Sequence, residues 1–293
     1  MTIFRRHKNA TSVLTLFVLV LLLTAGQWFH AGHVFGQSRL IVWFFDVGQG
    51  DAIFIESPSG EQLLIDGGRG SVVLEKLADV MPFWDRSIDA VLLTHPHADH
   101  VDGLVHVLER YDVETVYTTG VDYLTSSAEE FSRRSGDDEE LVLVDTPRVL
   151  SLGGGVTLEL VYPQASLEQK HMDDVNDASI VGVLRYGETS ILLTGDIGNE
   201  AELSLIPFLD ESVDILKVGH HGSRYSTSQT LLETILPSVA IISSGEGNEY
   251  GHPHAETLER LSAVGATILR TDLHGDIRLL STGGEPWLTT FAD

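Results

Sequence analysis

The stretch LLTHPHADHVDGL, residues 92–104, places four side chains that can bind metal within six positions: His95, His97, Asp99 and His100. His95 and His97 are alternate residues, so an extended backbone can point both imidazoles to the same side. Asp99 and His100 follow directly and can reach a second point nearby. Imidazole nitrogens and carboxylate oxygens are the ligands of Zn²⁺ and, less commonly, of Mn²⁺ or Fe²⁺. One histidine alone would indicate a surface or capping residue, but four donors after an apolar run predict a metal site.

Two further apolar runs end in similar chemistry. Asp196 follows ILLT, and a carboxylate buried there would be costly without a cation. Asp196 could instead cap the helix predicted over NEAELSL, because Asp is a good N-cap residue. His220 and His221 follow DILKVG, and Gly222 allows a sharp turn after them. The pattern predicts that three strand ends converge on one site.

The elements that must position these residues can be predicted from the spacing of apolar residues. The runs LIVWFFD, DAIFIES and QLLIDGG are typical of short strands, and IDAVLLT of a strand buried on both faces. VDGLVHVLERY has the apolar spacing of a helix, which puts the histidine cluster on the loop between that strand and this helix. The second half repeats strands and helices in mixed order, and the polar segment SSAEEFSRRSGDDEE is expected to be a mobile surface segment. The prediction is an α/β fold with two mixed β-sheets face to face and helices outside, in one domain over residues 39–293.

Composition narrows the function. The chain has 293 residues, 43% of them hydrophobic, which is typical of a globular protein. It has no cysteine, so thiolate metal ligands and disulfides are excluded. The formal charge of −25 opposes broad electrostatic binding of nucleic acid, although bound cations could reverse the field locally.

The first 38 residues form a separate segment. Arg5, Arg6 and Lys8 precede the apolar run Val13–Ala25, a pattern typical of a secretory signal peptide or a short N-terminal membrane anchor. Either form puts residues 39–293 outside the cytoplasm, secreted or anchored, with the N-terminal segment engaging the membrane or the export machinery.

THPHADH is the His-x-His-x-Asp-His signature of the metallo-β-lactamase fold. FFDVGQGDAIFIES, LLIDGG, ILLTGDI, DILKVGHHGS and YGHPHAETLERL occur in an order that resembles the extracellular metallo-β-lactamase-like domain of ComEC-type DNA-uptake competence proteins and its stand-alone relatives. The resemblance covers about residues 40–281. It implies a four-layer αβ/βα sandwich and a hydrolase with two divalent cations, Zn²⁺ before Mn²⁺.

The resemblance also implies roles for individual residues. His95 and His97 would bind metal 1, Asp99 and His100 metal 2, Asp196 would bridge the two, and His221 would complete metal 2. His220 would contact substrate or donate a proton, and His252 would line the pocket; with Asp99 these are the candidate catalytic residues. Asp46, Asp51 and Asp66 are expected to fix loop geometry or to hydrogen-bond the ligands from behind.

The chain departs from many members of this fold at metal 1. They supply a further histidine before the bridging aspartate, whereas His106 lies within a predicted helix and His171 in a polar loop. NDASIV stands in the corresponding region, so Asn176 or Ser179 is a candidate contact to metal 1, substrate or water. His97, which competence proteins often replace, is present and favours a fully assembled hydrolase.

The leading functional hypothesis is a phosphodiesterase or nuclease that acts through a dinuclear centre and a bridging hydroxide. Its substrate would be single-stranded DNA, an oligonucleotide or a cell-surface polymer, and no obligate protein partner is inferred. The loop with Ser223, Arg224 and Tyr225 would offer phosphate and stacking contacts, or would be an ordinary loop. The alternatives are a β-lactam, lactone or thioester hydrolase with the same centre, and a non-catalytic metal-binding module.

Overall fold

A computed structural model describes residues 39–136, 140–168, 170, 172, 174–209 and 212–292. Its contacts separate Arg39–Asp293 from the first 38 residues, and the predicted signal or anchor lies outside the described part. None of the helices in the described part has the length and hydropathy of a membrane span.

Fifteen strands are present in the described residues. In chain order they are β1 (Leu40–Phe44), β2 (Ile53–Glu56), β3 (Gln62–Ile65), β4 (Ser87–Leu92), β5 (Asp112–Thr118), β6 (Glu140–Leu143), β7 (Arg148–Ser151), β8 (Val156–Tyr162), β9 (Val181–Tyr186), β10 (Thr189–Leu193), β11 (Ile215–Lys217), β12 (Val239–Ile242), β13 (Thr267–Arg270), β14 (Asp276–Ser281) and β15 (Trp287–Phe291).

The strands form two mixed sheets. Sheet 1 has the order β15-β14-β1-β2-β3-β4-β5-β6, with β3 to β6 parallel to one another. Sheet 2 has the order β13-β12-β11-β10-β9-β8-β7, with β10 to β13 parallel. The strands alternate in the direction of their side chains, so β1 turns Leu40, Val42 and Phe44 toward sheet 2 and Trp43 outward.

Helices cover the outer faces. They are α1 (Val72–Val80), α2 (Ala98–Arg110), α3 (Ser126–Arg134), α4 (Asn199–Leu205), α5 (Gln229–Ile235), α6 (Ala255–Ala263) and α7 (Thr271–His274). One apolar core fills the space between the two sheets. A second core lies between sheet 1 and its helices, and a third lies between sheet 2 and its helices. The predicted four-layer αβ/βα sandwich is confirmed.

The prediction of a mobile segment at SSAEEFSRR was wrong, because these residues form α3. Thr125 Oγ1 accepts a hydrogen bond from Ala128 N at 3.3 Å and caps the helix. Ala128 and Phe131 are buried, one turn apart, and Phe131 packs into the core between sheet 1 and its helices. Two apolar residues at helical spacing were therefore enough to dock an otherwise polar helix.

Candidate metal centre

The loop between β4 and α2 carries the first two histidines. His95 is buried, and its Nδ1 lies 3.1 Å from Thr94 Oγ1 and 3.3 Å from Ser179 Oγ. These hydroxyls fix the ring and leave Nε2 facing His97, with His97 Nδ1 at 3.0 Å. Two ring nitrogens from alternate residues therefore converge on one point, as the spacing predicted.

Asp99 and His100 lie in the first turn of α2, so the cluster extends into the helix and is not confined to the loop. His100 is fully buried, and its Nδ1 lies 2.8 Å from Asp66 Oδ2. Asp66 also accepts hydrogen bonds from Thr94 N at 2.8 Å and Thr94 Oγ1 at 2.7 Å. This carboxylate orients the imidazole from behind, as is usual for metal-binding histidines.

A close backbone contact fixes the start of α2 against the loop after β3. Gly67 N donates to His100 O at 2.8 Å, and Gly103 N donates to Gly68 O at 3.0 Å. A Cβ atom built at Gly103 would overlap the backbone of Gly67, and one at Gly67 would overlap that of Gly103 and Leu104. Only glycine fits on either side of this contact.

Sheet 2 supplies Asp196 from the end of β10. The N-cap position of α4 is occupied by Gly198, so Asp196 does not cap that helix. Asp196 N donates to Ser179 Oγ at 2.9 Å, and its Oδ2 lies 3.3 Å from His100 Nε2 and 3.2 Å from His221 Nε2. Its Oδ1 is buried without a hydrogen-bond partner in the described part of the chain.

His221 lies after β11, in a short turn over Gly219–Gly222 where His220 and His221 both have left-handed backbone angles. Its Nδ1 is 3.1 Å from Ser243 O. Its Nε2 lies 3.2 Å from Asp196 Oδ2 and 3.4 Å from Asp99 Oδ2 without the alignment of a hydrogen bond. Donor atoms gathered this closely around a gap are suited to a shared cation.

The charges of the cluster favour a positive centre. Burial opposes the charged forms of His100 and His221, yet Asp196 and its neighbours raise the pKa of each well above the usual histidine range. Burial likewise works against ionised Asp196, but the two imidazoles hold its pKa well below the ordinary value. The carboxylates thus require positive charge at this point, which divalent cations can supply in place of the protons.

Lys217 was not singled out from the sequence, and it is the only buried lysine among the described residues. Its Nζ lies 2.7 Å from Asp51 Oδ2, and Asp51 Oδ1 lies 3.5 Å from His221 Nδ1. Burial opposes the ionised form of Asp51, but Lys217 and His221 lower its pKa to about 2. The sequence signal was a lysine inside the apolar strand ILKV.

The predicted contacts near metal 1 occupy two different positions. Asn176 is buried, and its Oδ1 has no hydrogen-bond partner among the described residues. Burial and the neighbouring His100 lower the pKa of His97, and Asp99, Asp196 and Asn176 partly oppose that shift. Ser179 is fully buried behind His95, on the Nδ1 side of the ring. His106 is remote on α2, and His171 lies outside the described residues.

His220 and His252 lie beside the donors. Their rings are 5.5 Å apart, and His252 is 6.2 Å from His221 and 4.9 Å from His254. Burial and the neighbouring His221 and His220 lower the pKa of His252 to about 4.

The remaining candidates are more peripheral. Ser223 is buried and accepts from Tyr225 N at 3.3 Å, whereas Tyr225 is exposed. Arg224 pairs with Glu256 at 2.9 Å on the surface. Asp46 accepts from Gly48 N at 3.1 Å and so shapes the loop after β1.

The donor set fits a metal centre. Four groups of three side chains bring their ligand atoms within 4.8 Å of one another, drawn from Asp51, Asp66, His95, Asp99, His100, Asp196 and His221. With oxygen and nitrogen donors only and two groups sharing Asp196, the arrangement can hold divalent cations of the Zn²⁺ or Mn²⁺ type.

A two-sheet αβ/βα sandwich with this His/Asp cluster at its strand ends defines a class of metal-dependent hydrolases. The family profile of the Metallo-beta-lactamase superfamily matches residues 45–246, and the chain belongs to that superfamily. Within it, the chain is related to competence proteins.

Three bacterial relatives support this relationship. The chain is 30% identical over 254 residues to ComE operon protein 3 of Bacillus subtilis, covering 80% of this chain and 32% of the relative. It is 29% identical over 246 residues to Recombination protein 2 of Haemophilus influenzae, covering 80% and 28%. It is 27% identical over 270 residues to Competence protein ComA of Neisseria gonorrhoeae, covering 90% and 36%. The chain therefore spans about a third of the length of these relatives.

Solved structures share the fold. CmlA, a diiron β-hydroxylase from Streptomyces venezuelae, matches with a TM-score of 0.54 at 17% identity, covering 83% of this chain and 54% of CmlA. The metallo-beta-lactamase fold protein YhfI from Bacillus subtilis matches with a TM-score of 0.50 at 16% identity, covering 84% and 99%.

Proposed function

We propose that the chain is an exported, metal-dependent phosphodiesterase or nuclease that holds two divalent cations across Asp196. The observation that carries the proposal is the position of Asp196 Oδ2, 3.3 Å from His100 Nε2 and 3.2 Å from His221 Nε2. One carboxylate thus faces donors from both sheets. Its second oxygen, buried and unpaired within the described chain, is free for a second cation.

Each side chain has a task in this arrangement. His95 and His97 hold one cation with Asp196, and Asp99, His100 and His221 hold the other. When bound, Zn²⁺ or Mn²⁺ would act as a Lewis acid on the phosphoryl group and lower the pKa of the attacking water. Both His97 and His220 lie outside the four donor groups. His97 Nδ1 lies 3.0 Å from His95 Nε2 and so reaches the same cation. His220 is left to contact the substrate or protonate the leaving oxygen, with His252 beside it.

Two features favour a phosphodiester over a carbonyl substrate. Two of the relatives are named for competence and recombination, processes that handle DNA. Asn176, buried with its Oδ1 unpaired among the described residues, lies in the segment where many hydrolases of this fold supply a third histidine to metal 1. The charge of −25 disfavours long duplex DNA, so single strands, oligonucleotides or a cell-surface phosphodiester polymer are the proposed substrates.

A substrate panel tests the activity. The full chain, loaded with Zn²⁺ or Mn²⁺, is assayed on single-stranded DNA, duplex DNA, bis-p-nitrophenyl phosphate and nitrocefin. We expect metal-dependent release from the phosphodiesters, a preference for single strands, and loss of activity in His95→Ala. The matched control His106→Ala, on the exposed face of α2, should retain activity. If nitrocefin is the only substrate hydrolysed, the proposed phosphodiesterase activity is wrong and the protein is a lactamase.

The proposed export has a separate test. Arg5, Arg6 and Lys8 ahead of Val13–Ala25 motivate it. A phosphatase that is active only outside the cytoplasm, fused after Ser38, should be active. A control fusion with Leu21→Arg and Leu22→Arg should be inactive. A stable but inactive parent fusion would contradict export.

A further inference from the structure

A cavity of about 410 Å³ opens beside His97, away from the other donors. We call it the His97 cavity; its lining includes His97, Asp122, Tyr123, Leu124, Asp174 and Val175. The Tyr123 ring meets the His97 ring edge to face, with centroids 5.3 Å apart. Tyr123 is half-buried and Leu124 is 90% exposed, so an aromatic face and an aliphatic side chain meet the solvent together.

The charges of the His97 cavity are of one sign. Asp122 and Asp174 lie in its lining and are exposed, and none of the described lining residues is lysine or arginine. A phosphate group in this cavity would face two carboxylates without a cationic side chain. A neutral group with a planar face would gain stacking and apolar contact with no such repulsion.

The opposite end of the site is lined by histidine rings. Aromatic rings follow one another from Tyr123 through His97, His95, His100, His221 and His252 to His254, with each neighbouring pair of centroids between 4.2 and 6.2 Å apart. His254 Nδ1 accepts from the Arg224 backbone N at 3.2 Å, and the Arg224 side chain pairs with Glu256 at 2.9 Å. The site thus runs from an acidic, aromatic cavity to a flank of histidines.

We infer that the His97 cavity receives the nucleoside of a phosphodiester and excludes a second phosphate on that side, so the substrate is cleaved next to an unphosphorylated end. The inference rests on the proposed phosphodiesterase activity and specifies which side of the scissile phosphate holds the nucleoside. The scissile phosphate lies at the donors, the neutral nucleoside stacks on Tyr123, and the leaving group lies on the side of His220. A strand that continued through the His97 cavity would carry its next phosphate toward Asp122 and Asp174.

Three small esters test this arrangement in the metal-loaded full chain. They are methyl p-nitrophenyl phosphate, thymidine 5′-(p-nitrophenyl phosphate), and the latter with a 3′-phosphate. We expect a KM about tenfold lower for the thymidine ester than for the methyl ester, the usual scale of base stacking on an aromatic side chain. Tyr123→Ala should remove this advantage, and Tyr123→Phe should keep it. Tyr250 stacks on His252 at the other end of the site, with centroids 5.8 Å apart, and Tyr250→Ala should leave the ratio unchanged.

The two acidic residues of the His97 cavity allow a second, independent test. The 3′-phosphate should raise KM several-fold in the parent protein, and Asp122→Asn with Asp174→Asn should remove that penalty. Asparagine at position 174 retains an oxygen for the hydrogen bond from Asn176 N, now accepted by Asp174 at 3.0 Å. A 3′-phosphate that lowers KM in the parent protein would overturn the inference.

Binding separates this inference from the proposed activity. Thymidine 5′-(methyl phosphate), a slowly hydrolysed ester, is titrated calorimetrically against dimethyl phosphate. If no ester is hydrolysed but thymidine binding depends on Tyr123, the phosphodiesterase fails and the nucleoside cavity stands. If the esters are hydrolysed and Tyr123→Ala changes neither KM nor binding, the cavity has no such role.

Discussion

Lys217 Nζ lies 2.7 Å from Asp51 Oδ2 behind the metal centre, and both side chains are buried. Asp51 follows β1 in sheet 1, whereas Lys217 ends β11 in sheet 2, so the pair joins the two sheets. The other Asp51 oxygen lies 3.5 Å from His221 Nδ1, on the side of the ring away from Asp99 and Asp196. The pair therefore supports the fold and the position of His221 together.

Replacing Lys217 with methionine should destabilise the protein strongly. Asp51 would remain buried without its cation, and breaking a buried pair in this way costs about 3–5 kcal/mol of unfolding free energy. Denaturant unfolding of the metal-free full chain measures the loss. Lys217→Met with Asp51→Asn should recover part of it, because no uncompensated charge remains.

Lys76→Met is the matched control for that experiment. Lys76 pairs with Asp276 at 2.8 Å, but both side chains are about a fifth exposed. Its loss should cost about 1 kcal/mol or less. Equal losses for Lys217→Met and Lys76→Met would show that the buried pair has no special weight.

Asp196→Asn and His220→Ala should fail in different ways. Asp196 faces donors of both sheets, and asparagine keeps its shape but loses the charge that two cations would share. We expect elemental analysis to find about two metal equivalents in the parent, depletion in Asp196→Asn, and a full complement with turnover slowed about 10²–10⁴-fold in His220→Ala. Metal loss in His220→Ala but not in His221→Ala would mean that the adjacent histidines have each other's roles.

Ser179→Ala should weaken metal binding without disturbing the fold. Ser179 Oγ accepts from Asp196 N at 2.9 Å and lies 3.3 Å from His95 Nδ1, so it orients one donor on each side of the centre. Loss of such a supporting hydrogen bond typically lowers metal affinity about 10–100-fold. Competition with a chromogenic chelator measures it. Ser190→Ala removes a hydroxyl that bonds Asp214 at the other end of β10, and its metal affinity should match that of the parent.

His252 should remain neutral to an unusually low pH. Burial and the neighbouring His221 and His220 lower its pKa to about 4, so the folded protein binds its proton only as the pH falls toward that value. Because the unfolded chain takes up this proton near pH 6.5, His252 lowers stability below that pH, fully so near pH 4. An NMR titration of the metal-free chain, assigned with His252→Gln, tests this. A midpoint at or above 6.5 would contradict it.

The sequence predicted the candidate metal-binding residues better than the residues that hold them in position. His95, His100, Asp196 and His221 could be grouped because three apolar runs end in donor residues, and the structure brings those strand ends together from both sheets. The partner of Lys217 could not be predicted, since Asp51 is 166 residues away and lies in the other sheet. Tyr123 gave no signal either, because an aromatic residue in a loop after β5 has no periodicity that would aim it at His97. α3 was missed because its composition is polar and because its stabilising contacts, the burial of Phe131 and the pairing of Arg134 with Glu109 of α2, are made with other elements.

The contact between Gly67 and Gly103 bears on how loss-of-function alleles of this gene would be interpreted. Neither residue has a side chain to offer a ligand, yet one added methyl group on either would push α2, with Asp99 and His100, away from sheet 1. Random mutagenesis should therefore recover alanine at these glycines alongside changes at the histidines. The two kinds of allele would separate by protein abundance, because the glycine alleles would deplete the folded protein while alleles at the half-buried His97 and His220 would leave it at parental levels.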